Sequence, residues 1–246
     1  MKSRYTRTGG CHDQLVACGN ADRATAAGQK LCSTAINYCR QYVENPYYST
    51  GQRGVYDIRH PYDDPTPPGY FIDFLNLADT QNKLGVNINY TTTNAGTVFS
   101  GFTATGDWAY PTFITDLEEI LGWGVRVALV YGDADYICNW FGGEAVSLAV
   151  EYANSAAFRA AGYAPFVVDG VEYGEVREHG NFSFTRVYEA GHEVPYYQPV
   201  ASLELFRRIL DKRIIADGSV LLTGNYSTNG TAKATHTESF VPLPTS

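Results

Sequence analysis

The sequence predicts an α/β fold, and three observations carry that prediction. Residues 125–131 form a short apolar run rich in β-branched side chains, interrupted only by Arg126 and closed by Gly132. Such a run reads as a buried strand. Residues 182–188 repeat the strand pattern, and helical spacing fills 113–121, 142–153 and 198–213 around the two. Each strand then runs into a turn: G-D-A-D holds Asp133 and Asp135, and A-G-H-E-V-P holds His192. In α/β proteins, turns at the carboxyl end of the sheet are where ligands and catalytic groups collect.

Taken in order, residues 22–45 carry Ala, Leu, Ile and Tyr at helical spacing, with a stop expected at Asn45-Pro46. A Gly/Pro-rich loop with many tyrosines follows to residue 70. Residues 71–84 read as one helix, with Phe71, Phe74, Leu75, Leu77 and Leu84 on its apolar face and Gly85 ending it. Residues 86–106 are polar and irregular, and T-G-D-W leads through Pro111 into the helix at 113. In 142–153, Ala145, Val146, Leu148, Ala149 and Tyr152 are expected to face inward, and 154–181 to hold short hairpin strands. In 198–213, Val200, Leu203, Phe206 and Leu210 form the stripe expected to pack, with Lys212 and Arg213 favourably placed at the helix end. The Ser/Thr/Asn-rich residues 216–246 read as a flexible tail.

Composition bounds the function. A chain of 246 residues with 44% hydrophobic and 18% charged residues is globular rather than disordered. A net charge of −8 without a basic cluster argues against a nucleic-acid partner. No run approaches the roughly 18 apolar residues of a membrane helix, so no membrane partner is expected. The first ten residues carry charge but no apolar core of a signal peptide.

Four of five cysteines, Cys11, Cys18, Cys32 and Cys39, fall in the first forty residues. Four cysteines allow three pairings; the nested one, Cys11–Cys39 with Cys18–Cys32, suits two antiparallel segments joined by a loop. A zinc site is the rival, and the gaps lack its usual short C-x2-4-C spacing. Sequons at Asn89, Asn181, Asn225 and Asn229 agree with disulfides in pointing toward secretion.

The chemistry rests on His192 and an acid. A histidine base in acyl transfer needs its second ring nitrogen held by a carboxylate, and Asp135, 57 positions upstream, fits that role. Asp133 competes with it, or stabilises the turn through its own backbone. Acid first and histidine later is the tail of the Ser…Asp…His order of α/β-hydrolases.

Y-G-D-A-D-Y-I-C-N-W, A-G-H-E-V-P, V-Y-D-I-R, T-G-D-W and the paired C-x6-C cysteines together resemble the C-terminal half of the serine carboxypeptidases. These are secreted or vacuolar α/β-hydrolases that remove C-terminal residues from peptides at acidic pH. The resemblance runs from Cys11 to about Arg213. It implies that Asp135 is the triad acid and His192 the base, and that Cys138 is an unpaired thiol beside them. By position, Ile137, Cys138 and Trp108 resemble the pocket before the scissile bond. Tyr56 and Glu193 resemble the pocket for the departing residue. A carboxylate next to the imidazole, Glu193, is expected to raise its pKa. The resemblance also supports the nested disulfides. It divides the chain into residues 1–70 of a helical cap, the hydrolase core at 71–215 and the tail at 216–246. No metal or organic cofactor is implied.

The family's nucleophile turn is missing, since no G-x-S-x-G occurs, and Ser33, Ser100 and Ser147 lack the glycine-flanked elbow. The expectation is therefore a C-terminal portion of a serine-type carboxypeptidase, inactive alone. Its partners are a missing N-terminal half or partner chain and, in the complete enzyme, peptide C-termini. Alternatives are an acyltransferase of the same fold and a non-catalytic binding remnant.

Overall fold

The β-branched run at the centre of the chain forms strand β1, Val127–Gly132, and Phe182–Val187 forms β4. A computed structural model describes residues 1–62, 68–92, 95–110 and 113–237. Within these, the chain divides into two compact units, residues 1–52 with 65–112, and residues 53–64 with 113–246. Pro111, residues 63–67 of the tyrosine-rich loop and residues 238–246 of the tail lie outside the described residues.

In the first unit, helices α1 (Lys2–Thr6), α2 (Cys11–Gly19) and α3 (Ala26–Cys39) lead the chain. Disulfides Cys11–Cys39 and Cys18–Cys32 join α2 to α3 in the nested pairing. Thr25 caps α3 by accepting the Gly28 N–H at 3.1 Å. The predicted stop at Asn45-Pro46 does not occur. The chain continues helically through Arg40–Glu44, and Pro46 sits in the first turn of α4, Asn45–Thr50. There the missing proline N–H has no intrahelical partner to lose. The single helix expected over 71–84 is two, α5 (Tyr70–Leu75) and α6 (Ala78–Leu84). Gly85 ends the second with φ +71°, as its residue type foretold. A further short helix, α7 (Ser100–Thr105), ends at Gly106, whose missing side chain leaves room for the Cys32 backbone.

The second unit holds the sheet, in the order β1-β4-β3-β2, where β2 is Ala164–Val168 and β3 is Val171–His179. Strands β1 and β4 are parallel, Val127 opposite Phe182 and Gly132 opposite Val187; the other pairs are antiparallel. Helices cover both faces. On one, Leu121 of α8 (Phe113–Gly122), Trp140 of α9 (Trp140–Ala149) and Phe158 of α10 (Ser155–Ala160) pack with Phe182 and Phe184. On the other, Ala201 and Leu205 of α12 (Pro199–Leu210) pack with Phe166, Val168 and Val176; the short α11 is Val194–Tyr197. Phe184 is fully buried between the rings of Tyr131 and Tyr163. Phe184→Ala is expected to cost about 3–5 kcal/mol through lost burial and the cavity left behind. Urea unfolding followed by tyrosine and tryptophan fluorescence measures it.

Two inward faces differ from expectation. Helix α9 starts at Trp140 because Asn139 caps it, accepting the Gly142 N–H at 3.0 Å. Its buried residues are therefore Trp140, Gly143 and Ser147, while Ala145 and Ala149 are exposed. In α12 the sheet-facing side is Ala201, Leu205 and Arg208, and the apolar stripe Val200, Leu203, Phe206 and Leu210 is exposed. Buried Arg208 satisfies its guanidinium on the carbonyls of Ile215, Ala216 and Val167 and on Glu204. The stretch after residue 216 has more to pack with than its composition shows. Thr228 is 2% exposed, donates its hydroxyl to Gly162 O at 2.6 Å and its N–H to Glu178 O of β3, and its Oγ1 accepts the Glu178 N–H. His236 stacks on Tyr188 with ring centroids 3.6 Å apart.

Candidate active site

Because β1 and β4 are parallel neighbours, both deliver the chain to the same, carboxyl, end of the strands. The two turns are then stitched together. Asp133 N–H donates to Val187 O at 3.0 Å and Ala134 N–H to Ala190 O at 2.9 Å. Gly132 permits this approach, since a Cβ there would collide with the carbonyl oxygens of Ala190 and Gly191.

A third segment clamps both turns from residues 53–62. Ile58 N–H donates to Ala134 O, the N–H groups of Tyr136 and Ile137 to Val55 O, and His192 N–H to Tyr56 O at 2.7 Å. Asp57 holds this segment in shape. It is 1% exposed and accepts from the Arg59 backbone N–H and, through both oxygens, from the Arg59 guanidinium. Sequence reasoning assigned Asp57 no role, although the D-x-R spacing that makes the loop was in plain view.

These contacts bring the predicted acid and base together. Asp135 is buried, and its Oδ2 lies 2.8 Å from Nδ1 of His192, whose side chain is 35% exposed. The other carboxylate oxygen accepts the Cys138 N–H at 3.3 Å. Nδ1 is thus committed to the carboxylate, as a base in acyl transfer requires, and the Cys138 side chain also hydrogen-bonds the imidazole. Asp133 is spent otherwise. Its carboxylate lies 3.7 Å from Arg186, which also pairs with Glu175 and lies over the Trp140 ring.

The pKa of His192 is pushed up from 6.5 to about 10, first by the hydrogen bond to Asp135, then by Cys138, against the opposing effect of burial. The neighbouring carboxylate expected to raise it, Glu193, is not among the causes, and its Oε2 is buried without a hydrogen-bond partner. A raised pKa means that protonation favours the folded state. This contribution is complete below about 6.5 and is lost as pH rises from there to about 10. Urea midpoints of the native chain should therefore fall across that window relative to those of His192→Ala.

The remaining candidates separate. The Tyr56 ring lies 5.2 Å from the His192 ring, Ile137 is half-buried, and Cys138 is an exposed free thiol. Trp108 belongs to the first unit, where it packs against Phe99 and Phe102. Of the sequons, Asn89, Asn225 and Asn229 are exposed, while Asn181 is half-buried and its amide donates to Val125 O at 2.8 Å. Among the described residues no helix is long and apolar enough to cross a membrane.

The chain is similar to several known proteins. A carboxypeptidase S1 homolog A of Arthroderma otae is 42% identical over 255 residues, covering 98% of this chain and 39% of the relative. A vacuolar serine-type carboxypeptidase of Saccharomyces cerevisiae is 37% identical over 77% of this chain and 39% of its own length. The chain thus spans about two fifths of the length of these relatives. Among solved structures, the prohormone-processing carboxypeptidase Kex1 of Saccharomyces cerevisiae matches 94% of this chain and 52% of its own, with TM-score 0.53 and 18% identity, a likeness of fold. The family model for serine carboxypeptidases matches residues 1–212. With its acid and histidine turns carried side by side on β1 and β4, the chain belongs to the serine carboxypeptidase family.

Proposed function

We propose that this chain supplies the acid and the base of a serine-type carboxypeptidase, a hydrolase that releases C-terminal residues from peptides. The observation that carries this reading is the 2.8 Å bond between Asp135 and His192 at the ends of adjacent parallel strands. In that reaction His192 takes the proton of a serine hydroxyl and returns it to the leaving amine, while Asp135 fixes the tautomer and stabilises the imidazolium. Tyr56, Ile137, Cys138, Glu193 and Trp108 are the proposed substrate contacts. No serine of this sequence stands in a glycine-flanked elbow, so the nucleophile and the oxyanion hole come from outside these residues, and the chain alone does not turn over peptides. The apolar stripe of α12 left exposed, together with β1 at the end of the sheet, supports a fold that continues beyond the described elements. The two disulfides and the exposed sequons support a secreted or vacuolar location.

The test is co-expression with the nucleophile-bearing region of the Arthroderma otae relative. The assembled protein is expected to release the terminal amino acid from a blocked dipeptide. A correctly assembled, soluble complex without that release overturns the reading.

A further inference from the structure

Cys138 is the free cysteine among the described residues, and it is exposed. It does not stand alone. Its Sγ, a ring nitrogen of His192 and a carboxylate oxygen of Asp135 all lie within 4.8 Å of one another. The Cys138 N–H is tied to the same carboxylate, which holds its backbone beside the pair. Carboxylate, imidazole and thiol therefore stand in the series that activates a cysteine: the acid orients the ring, and the ring exchanges a proton with sulfur.

We propose that Cys138 is a nucleophile activated by His192, which accepts an acyl group from small activated esters. The proposal uses the Asp135–His192 pair but not the carboxypeptidase reading, which needs a serine from elsewhere. In the step, the Cys138 thiol gives its proton to the imidazole as sulfur attacks the ester carbonyl carbon. The C–S bond forms, the C–O bond breaks, and the departing oxygen takes the imidazolium proton. The products are a thioester on Cys138, a neutral imidazole and one alcohol. Without an oxyanion hole, amide bonds are out of reach, and the reaction stops at one acyl group per chain.

The test uses the 246-residue chain with its disulfides intact and p-nitrophenyl acetate at neutral pH. The expected result is one equivalent of nitrophenol and one acetyl group, found by mass spectrometry on the peptide that carries Cys138. The folded chain should react about a hundredfold faster than the same chain in urea, the range that a positioned acid–base group contributes. His192→Ala should fall to the rate in urea. The comparison of folded and unfolded wild-type chain needs no variant to fold. Equal rates in and out of urea, acetyl found on another residue, or full speed in a folded His192→Ala protein would each overturn the proposal.

Discussion

Replacing His192 by alanine in an enzyme assembled from this chain and a nucleophile-bearing partner is expected to lower kcat/KM by about 10⁴-fold or more, with KM nearly unchanged. The imidazole bonds to Asp135 at 2.8 Å through Nδ1, so its loss is expected to remove proton transfer rather than substrate binding. Asp135→Asn should fall by about 10⁴-fold as well, because an amide no longer favours the tautomer with its proton on Nδ1. The double variant should be scarcely worse than either, since the two residues act as a unit. Steady-state kinetics on a blocked dipeptide separates these outcomes. Undiminished activity in His192→Ala would remove the histidine from the reaction.

The second large effect is structural and falls on Gly132. An alanine there is expected to destabilise the second unit by about 1–3 kcal/mol, the range of overpacking in a packed site. The added methyl group meets the backbone carbonyls of Ala190 and Gly191 rather than the end of a side chain. Relief requires the histidine turn to move away from the aspartate turn, so the Asp135–His192 bond should lengthen or break along with the loss of stability. Gly122→Ala is the control. It sits at the end of α8 with nothing within 4 Å of an added Cβ, and should be neutral or slightly stabilising. Urea melts of the two variants decide the matter.

The sequence made strand β1 and both turns of the candidate site legible because each rests on local chemistry: a β-branched run, a glycine stop, and a charged residue in a turn. The nested disulfides were singled out among three possible pairings because they suit two antiparallel segments, and the resemblance supported them. Where reading failed, the missing information was tertiary. The stripe of Val200, Leu203, Phe206 and Leu210 is a sound amphipathic pattern, but periodicity does not say which surface a helix faces. Ala201 and Leu205 were small and sparse enough to be passed over, though the sheet takes them. Arg208 was invisible as a core residue because its burial depends on carbonyls at Val167, Ile215 and Ala216. Thr228 likewise read as tail, and is buried only because Gly162 and Glu178 receive it. The raised pKa of His192 was anticipated, but assigned to Glu193 by adjacency in sequence. The ring is in fact perturbed by Asp135 and Cys138, which the fold brings to it.

The central claim is that the acid–base pair exists already in this chain. The most direct measurement is an NMR titration of the His192 ring in the native protein and in Asp135→Asn. The account predicts that the native ring titrates with a midpoint pushed up to about 10, and that Asp135→Asn draws it back toward 6.5. A native ring that titrates near 6.5, unchanged by Asp135→Asn, would contradict it.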